Sequence, residues 1–384
     1  MYSNKVKFFL LVLITSVFTS LFLLQHKSRR SHQEALQKRT TELNELHGLW
    51  LKYKEKSIIN GRVIAHDENG ITTSEGQSYA MLRAVWSNDT QGFSEIWNWT
   101  KTNLKRPKDH LFSWKWKNHI IDANTATDAD SDIALALILG SRRFKNQTYL
   151  DQAKLIISDL KKIDFVTVGR WNIPHAGNWT HKDRYIKVHI GYLSSYAYRE
   201  FGQIDPTFDW DRVANDSTAL IHWLLSDKKI KFLPEYVFLD RKTGDIHIKH
   251  PETNQQADFG YDVFPLFWRL AVDAQWNNQD HSTIGDLLLK PFKSEMYDKQ
   301  KIFDRYSIQA NQLSHHEADT LYLTLSSLSE SIDPLFYKLI SDSKLGAIWR
   351  RANSDEALPY YVQNWIWFHK ALQLGAVENF SSNP

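Results

Sequence analysis

The sequence contains no cysteine and no linker-like segment. The lack of cysteine excludes disulfides, thiolate metal sites, a cysteine nucleophile and a lipidated N-terminal cysteine. After about residue 46 there is no Pro/Gly/Ser-rich stretch and no break in composition. Length alone would suggest two domains. The uninterrupted composition instead favours one continuous domain from residue 46 onward.

The main part of the chain also lacks a basic cluster and a metal-binding motif. Residues 1–40 carry seven Lys and Arg against one acidic residue, whereas the remainder carries 40 basic and 43 acidic residues. A mildly acidic body argues against a nucleic-acid partner, which needs clustered cations. Sixteen histidines are present, but none forms an H-E-x-x-H pattern, and His315, His316 and Glu317 are merely adjacent. We therefore expect neither a metal nor a cofactor.

Only one long apolar run is present, at residues 8–24 (FFLLVLITSVFTSLFLL), with Lys or Arg on both sides. As a helix it spans roughly 25 Å, slightly short of a bilayer core. A cleaved signal peptide is the alternative, but no small-x-small cleavage site follows. We predict a cytoplasmic stub and transmembrane anchor over residues 1–30, a polar tether over 31–45 and an extracytoplasmic domain over 46–384.

The pattern from residue 46 to 376 predicts an all-α domain of about twelve helices, one of them over 187–202, that pair into six hairpins. Strand signals are few, and residues 236–250 (YVFLDRKTGDIHIKH) predict one small β-hairpin between helices. No fixed-period repeat is present, so a solenoid is not expected. Aromatic residues make up 13% of the chain, more than a core needs, which favours a surface that stacks on sugars or nucleobases.

Three acidic residues stand at predicted helix starts: Glu75 in TSEGQSYAML (73–82), Asp128 in TATDADSDIALALIL (125–139) and Asp262 in ADFGYDVFPLFWRLAVDAQW (257–276). Each alone is explained by helix capping, because an acid at a helix N-terminus pairs with free N–H groups and the helix dipole. A calcium loop is excluded, since Ile133 and Leu139 stand where an EF-hand needs Gly and Glu.

Taken together, the three acids suggest a catalytic cleft. Helix starts that face one another across a helical barrel would bring the three carboxyl groups into one aromatic groove. Cleavage of a glycosidic bond needs an acid to protonate the leaving oxygen and a base or nucleophile on the other face, and paired carboxyl groups supply both.

These segments resemble the signatures of glycoside hydrolase family 8. The resemblance rests on TSEGQSYAML and, more specifically, on TATDADSDIALAL. It extends, in the family's order, to LFSWKWKN (111–118), GYLSSYAYREFGQIDPTFDWDRV (191–213) and GYDVFPLFWRLA (260–271). The resemblance implies an (α/α)6 barrel of about twelve helices with a small β-hairpin insertion, and an inverting mechanism.

The resemblance also implies residue roles. Glu75 matches the general acid, Asp262 the general base, and Asp128 the acid that holds the distorted sugar. Tyr192 matches a tyrosine that positions the attacking water. Apart from the resemblance, Arg269 lies on the helix that follows Asp262, and we expect it either to reach the same cleft or to have a plain surface or ion-pair role. The candidates for sugar stacking are Trp114, Trp116, Trp171 and Tyr261, with core packing as the alternative for each tryptophan.

Neighbours of Asp128 on the chain are expected to have other roles. Because of the helical geometry, Asp130 should point away from the sugar. Asp132, four residues after Asp128, is expected to cap the helix or pack in the barrel.

The chain departs from the family's pattern in two places. Pro265 stands where an arginine usually follows Asp262, and residues 189–191 (HIG) replace the usual Asn-Pro-Ser before Tyr192. Both departures concern substrate recognition, so we expect a secreted exopolysaccharide, which can carry amino or N-acetylamino groups, rather than plain cellulose.

Two functions stay open at this stage. One is an active inverting endo-hydrolase of a β-1,4-linked polysaccharide. The alternative is a catalytically inactive polysaccharide-binding subunit of an exopolysaccharide synthesis complex, and the presence of all three acids disfavours it. The expected partners are the polysaccharide, the membrane and, for a role in polymer export, an exopolysaccharide synthase complex.

Overall fold

The computed structural model describes residues 2–354 and 356–381, and within them the side chains of 2–25, 28 and 31 lie outside the description. The chain divides into two units, Met1–Gly48 and Leu49–Pro384. The predicted anchor at residues 8–24 falls on side chains that are not described. Within the described part, no helix meets the length and apolar character needed to cross a membrane.

The described residues contain thirteen α-helices and ten short strands. The helices are α1 (Tyr2–Ser57), α2 (Ser74–Trp86), α3 (Thr90–Asn103), α4 (Thr127–Arg143), α5 (Gln147–Ile163), α6 (Ser195–Ile204), α7 (Trp210–Ser226), α8 (Phe264–Asn277), α9 (Ser282–Lys299), α10 (Asp319–Ile332), α11 (Pro334–Ile340), α12 (Gly346–Asn353) and α13 (Tyr360–Gln373). The strands are β1 (Ile58–Ile59), β2 (Arg62–Val63), β3 (Thr72–Thr73), β4 (Lys115–Lys117), β5 (His119–Asp122), β6 (Phe165–Val168), β7 (Trp171–Pro174), β8 (Tyr185–His189), β9 (Tyr236–Asp240) and β10 (Ile246–His247).

Six helices of the second unit form a closed ring. Around it, α2 packs on α4, α4 on α6, α6 on α8, α8 on α10, α10 on α13, and α13 on α2 again. The helices α3, α5, α7 and α9 lie between successive ring helices in the sequence and pack against them from outside. Because each outer helix carries the chain back, the ring helices run in the same direction and their N-termini meet at one end. This is the (α/α)6 arrangement that the resemblance implied.

The sequence explains which helices are inside. In α4 every residue from Thr127 to Gly140 is buried, and the run from Ile133 to Leu139 is apolar on all sides, as expected for an inner helix. In the outer helix α5 only one stripe is buried, formed by Tyr149, Ala153, Ile156, Ile157 and Leu160. This 3-to-4-residue spacing places one apolar face on the ring and leaves the polar face to solvent.

A small sheet stands beside the ring and corrects one predicted helix. The predicted hairpin at 236–250 is present as β9 and β10, and β8 pairs with β9 as a third antiparallel strand. The helix predicted over 187–202 is therefore wrong in its first half, since α6 begins only at Ser195. The reason is a period of two in β8, where Ile186 and Val188 are fully buried and their neighbours are not.

Candidate active site

The candidate site lies where the N-termini of the ring helices meet. Glu75 is the second residue of α2, Asp128 the second of α4, and Asp262 lies in a 3-10 turn (Tyr261–Val263) that leads into α8. Another 3-10 turn, which ends at Tyr192, precedes α6. The predicted convergence of helix starts is thus what the ring produces.

None of the three acids caps its helix. The N-cap of α2 is Thr73, whose Oγ1 accepts a hydrogen bond from the backbone N–H of Gly76 at 3.0 Å. The N-cap residues of α4 and α8, Ala126 and Val263, make no side-chain capping bond. None of the three acids is therefore the N-cap of its helix, although Glu75 and Asp128 lie in the first turn, where the helix dipole favours a negative charge.

Glu75 is held between α2 and α13. The hydroxyl of Tyr360 donates a hydrogen bond to Oε1 of Glu75 at 3.2 Å. On the other side, the backbone N–H of Ser74 donates to the carbonyl of Trp114 at 3.0 Å, which ties the start of α2 to the loop before β4. Part of Glu75 stays accessible to solvent, as a side chain at the bottom of a cleft does.

Asp128 is 5% exposed and lies deeper than Glu75. Its Oδ1 is buried and has no hydrogen-bond partner among the described residues. An unpaired buried carboxylate oxygen is costly, and such groups concentrate where a ligand completes the bonding. Asp128 therefore offers a free acceptor at the base of the cleft.

The environment raises the pKa of two of the acids. Burial raises the pKa of Glu75 to about 8, and the negative charges of Asp128 and, to a smaller extent, Asp262 contribute to this rise. The hydrogen bond from Tyr360 acts in the opposite direction and lowers the pKa. Burial also raises the pKa of Asp128 to about 7, although the nearby Arg269 opposes the rise. Because like charges disfavour each other, Glu75 keeps its proton at neutral pH.

Asp262 stands in a different environment. Its side chain is 50% exposed, and its Oδ2 lies 3.3 Å from Nδ1 of His189, which is close enough for electrostatic contact but not aligned as a hydrogen bond. The backbone N–H of Asp262 donates to Oε1 of Glu235 at 3.5 Å. The carboxylate of Asp262 is therefore open to water, while the contacts with His189 and Glu235 orient the residue.

The turns that carry Tyr192 and Asp262 touch at Gly191. A Cβ atom at this position would lie 1.7 Å from the carbonyl oxygen of Asp262, so any other residue would push the turns apart. The ring of Tyr192 stacks on His189, with centroids 4.8 Å apart and planes 26° apart. The departure from the family's motif at 189–191 thus has a structural reason, because its histidine and glycine both contact the Asp262 turn.

Tyr192 is a hydrogen-bond donor at the cleft. Burial, together with the charges of Asp128, Asp262 and Glu75 in that order, raises the pKa of Tyr192 well above its usual value. Its hydroxyl therefore stays protonated at neutral pH. The same three acids act on it, so Tyr192 lies among them.

Arg269 is buried below the cleft. Its guanidinium donates to both carboxylate oxygens of Asp132, at 3.2 and 2.8 Å, and also to the hydroxyl of Ser194. The structure thus shows Arg269 in an ion pair. The positive charge of Arg269 also lowers the pKa of Asp128. Asp132 packs in the barrel as expected.

Asp130 points away from the cleft, as its position on the helix predicts. Its Oδ1 accepts a hydrogen bond from the backbone N–H of Phe112 at 3.0 Å. Burial and the charge of Asp164 raise its pKa well above the usual value.

The aromatic candidates separate into two groups. Tyr261 is 43% exposed beside Asp262, and Trp114 is partly exposed beside the start of α2. The ring of Trp116 instead lies between the guanidinium of Arg62 at 4.4 Å and the ring of Trp99 at 5.3 Å.

Trp171 is 3% exposed on β7 under the guanidinium of Arg170. No contact brings Trp171 to the three acids. Stacking on sugar therefore stays a prediction for all four residues, and it is best placed at Tyr261 and Trp114.

The tyrosines at the start of α13 were not among the site residues predicted from the sequence. Tyr360 bonds to Glu75, and the charges of Glu75, Asp262 and Asp128 all raise the pKa of Tyr361 after burial. The sequence signal was present, because Pro359 places both tyrosines at the start of the sixth ring helix. The rule that selected the acids, a polar residue at a ring-helix start, also selects this pair.

Comparison with known proteins gives one family. A family model described as glycosyl hydrolases family 8 matches residues 33–359. The chain is 31% identical over 236 residues to a protein named "Probable endoglucanase" from Novacetimonas hansenii, which covers 57% of this chain and 65% of that protein. It is 28% identical over 178 residues to an endoglucanase of Cellulomonas uda, 45% of this chain and 50% of the other. The matches thus span about half to two thirds of these curated relatives.

Solved structures share the fold. An endo-β-1,4-glucanase from Acetobacter xylinum superposes with a TM-score of 0.70 at 21% identity, covering 85% of this chain and 97% of that one. A β-1,3-1,4-glucanase from a Paenibacillus species superposes with a TM-score of 0.73 at 18% identity, covering 88% and 93%. At such identities the likeness establishes the barrel and leaves the substrate open.

Proposed function

The chain belongs to glycosyl hydrolases family 8, and from this premise we propose that it is an inverting endo-hydrolase of a β-1,4-linked polysaccharide. The endoglucanase names of its relatives support a glucan backbone. The observation that carries the proposal is the pair of unlike carboxyl groups at the ring-helix starts. One is largely enclosed, with its pKa raised, and the other is half exposed.

Glu75 is the general acid of this mechanism. A pKa of about 8 keeps its carboxyl group protonated at neutral pH, so it can donate a proton to the leaving glycosidic oxygen. The hydroxyl of Tyr360 fixes one oxygen of the carboxyl group and leaves the other for the substrate.

Asp262 is the general base. Its half-exposed carboxylate can accept a proton from a water molecule that attacks the anomeric carbon from the face opposite Glu75. The protonated hydroxyl of Tyr192, among the three acids, can hold that water in line. Room for the water between carboxylate and sugar is what distinguishes an inverting from a retaining arrangement.

Asp128 binds the sugar at the point of cleavage. Its unpaired Oδ1 can accept a hydrogen bond from a sugar hydroxyl, and this bond restores the partner that burial removed. The buried pair of Arg269 and Asp132 lies beneath and fixes the local charge. Binding of a distorted ring here places its glycosidic oxygen at Glu75.

A product-size experiment tests the proposal. Purified protein is incubated with β-1,4-glucan, chitosan and the host's own exopolysaccharide, and the products are separated by size. An endo-hydrolase shortens at least one polymer rapidly while releasing little monomer. Release of monomer alone, or no shortening of any polymer by a folded protein, would contradict the proposal.

We further propose that the substrate is an exopolysaccharide and that residues 1–30 anchor the enzyme with its domain outside the cytoplasm. The support is the uncharged run at 8–24 and the altered residues 189–191. Protease added to cells stripped of their wall should remove the body after residue 30. Full protection of the body would place the domain in the cytoplasm and contradict this part of the proposal.

A further inference from the structure

The outward face of β8 continues from the candidate base. Side chains alternate along this strand, so Tyr185, Lys187 and His189 share one face while Ile186 and Val188 are buried on the other. His189 is the residue that contacts Asp262. Lys187 therefore stands one step farther along the same face, roughly 7 Å away by strand geometry.

Lys187 has aromatic neighbours but no ion-pair partner among the described residues. Its Nζ lies 4.1 Å from the ring centroid of Tyr236 and 5.3 Å from that of Trp179. In the described part of the chain, no carboxylate pairs with this ammonium and no acceptor takes a hydrogen bond from it. Burial lowers the pKa of Lys187, and the charge of Asp262 opposes that effect. The ammonium has lost part of its hydration without gaining a carboxylate in return.

The two arginines that flank the sheet already have partners. Arg184 pairs with Asp240 at 3.1 Å, and Nε of Arg241 donates to the carbonyl of Asp183 at 3.2 Å. Arg184 and Arg241, which flank the sheet, are thus paired, whereas Lys187 keeps its donors free.

Backbone hydrogen bonds connect Lys187 to the start of α4 at the cleft. The backbone N–H of Ala176 donates to the carbonyl of Lys187 at 2.9 Å, and the N–H of Thr127 donates to the carbonyl of Ala176 at 3.4 Å. Thr127 directly precedes Asp128. Trp179, three residues after Ala176, is 45% exposed. An exposed ring and a free ammonium are thereby fixed beside the start of α4.

We propose that Lys187, with Trp179 and Tyr236, forms a subsite for a sugar unit that carries an anionic substituent, a carboxylate or a phosphate ester. The exposed ring of Trp179 supplies an apolar face for the sugar. Lys187 supplies charge-assisted hydrogen bonds to the oxyanion. This subsite rests on the proposed function, because the polymer must run from Asp262 along β8.

The charge pattern explains why the substituent is an anion. The negative charges of Asp128 and Asp262 repel anionic groups at the point of cleavage itself, so the face of β8 is where an anionic substituent finds a cation. A cationic amino substituent would be disfavoured at the same place. The subsite therefore favours a polymer with an anionic substituent and disfavours an amino sugar at this position. The sequence alone had left the substituent open.

The test compares two soluble forms of one β-1,4-glucan backbone, the anionic carboxymethyl derivative and the neutral hydroxyethyl derivative, at matched substitution. A phosphorylated derivative separates carboxylate from phosphate recognition. The variants are Lys187→Gln and, as a matched control, Lys182→Gln, an exposed lysine on the turn before β8. Values of kcat/KM are measured for each, and binding is measured by affinity electrophoresis with Glu75→Gln in the background.

Lys187→Gln should lower kcat/KM and affinity about tenfold for at least one anionic derivative, and less than about twofold for the neutral one. Lys182→Gln should change neither. Equal losses on anionic and neutral polymers would mean that Lys187 serves neutral hydroxyls, and no loss on any polymer would mean that it serves none. Either result overturns the subsite. If the wild type cleaves no polymer, the proposed function fails, while the binding measurement still decides the role of Lys187.

Discussion

The two carboxyl groups at the cleft, Glu75 at the start of α2 and Asp262 before α8, have opposite environments. Glu75 lies deep, receives a hydrogen bond from Tyr360 and has its pKa raised to about 8. Asp262 is half exposed, and its near neighbour is the ring nitrogen of His189. These opposite environments support the opposite proton transfers that we propose for the two groups.

The difference comes from what precedes each helix. The chain enters α2 directly from β3, so Glu75 falls within the helix and under the cover of α13. The chain enters α8 through a 3-10 turn, which places Asp262 ahead of the helix and nearer to solvent. One extra turn of backbone therefore accounts for the different exposure of the two carboxyl groups.

The largest expected effect is the loss of hydrolysis when either group is neutralised. Glu75→Gln and Asp262→Asn should each lower kcat on β-1,4-glucan by about 10² or more, since general acid or base catalysis is removed. The control is Glu68→Gln, an acid whose charge reaches Glu75 without contact, which should stay within about threefold. More than a tenth of wild-type activity in Glu75→Gln would contradict its assignment.

A change of leaving group separates the two variants. When the substrate is an aryl glycoside with an acidic phenol, the phenolate leaves without being protonated. Glu75→Gln should therefore regain most of its lost rate on such a substrate. Asp262→Asn should not recover, because water still needs a base. Rates on a dinitrophenyl β-glycoside and on glucan measure this directly, and equal recovery of both variants would remove the distinction between acid and base.

Neutralising Glu75 should stabilise the fold, although it removes hydrolysis. The pKa of Glu75 is about 8 in the folded state and ordinarily about 4.5, so the folded state binds more protons between these values and stability falls as pH rises through them. Glu75→Gln removes this penalty and should raise the free energy of unfolding by about 1 to 3 kcal/mol at pH 7.

Urea unfolding at two pH values tests this prediction. Near pH 4 both states carry the proton, so the gain from Glu75→Gln should nearly vanish. A gain that is the same at pH 4 and pH 7 would show that ionisation of Glu75 is not its source.

Asp128 should set the alkaline limit of activity. Activity is lost as Glu75 gives up its proton above about pH 8, and the charge of Asp128 is the main cause of the raised pKa after burial. Asp128→Asn should therefore shift the alkaline limb of kcat/KM to lower pH, by about one unit. The residual glucan activity of the variant is followed between pH 5 and 10. A shift to higher pH would contradict the coupling.

The smallest expected effect is at His189. Its ring stacks on Tyr192 and lies beside Asp262, so it positions both. His189→Asn keeps a polar nitrogen and should lower kcat about threefold, whereas His189→Leu should lower it about tenfold, with KM nearly unchanged in both. Equal effects of the two substitutions would reduce His189 to a packing role.

Much of this architecture is readable from the sequence. The buried run of α4 and the one-sided pattern of α5 predict inner and outer helices, because burial on all sides and on one side give different periodicities. The acids at Glu75, Asp128 and Asp262 are readable because each stands just before an apolar helical run. Their convergence depends on closure of the ring, which the pattern alone does not encode.

What escaped prediction depends on contacts between distant segments. β8 resembles the start of a helix until its pairing with β9 is known, since five residues are too few to fix a period. The hydrogen bond from Tyr360 to Glu75 joins residues 285 positions apart. The meeting of Gly191 with Asp262 depends on two turns that pack only in the folded ring.

The measurement that tests the account most directly is proton NMR of the first products released from a β-linked chain. If Glu75 donates the proton while Asp262 activates water on the opposite face, the new reducing end appears as the α-anomer, before mutarotation populates the β-anomer. Early appearance of the β-anomer would contradict this account, because Asp262 would then act as a nucleophile in a retaining mechanism.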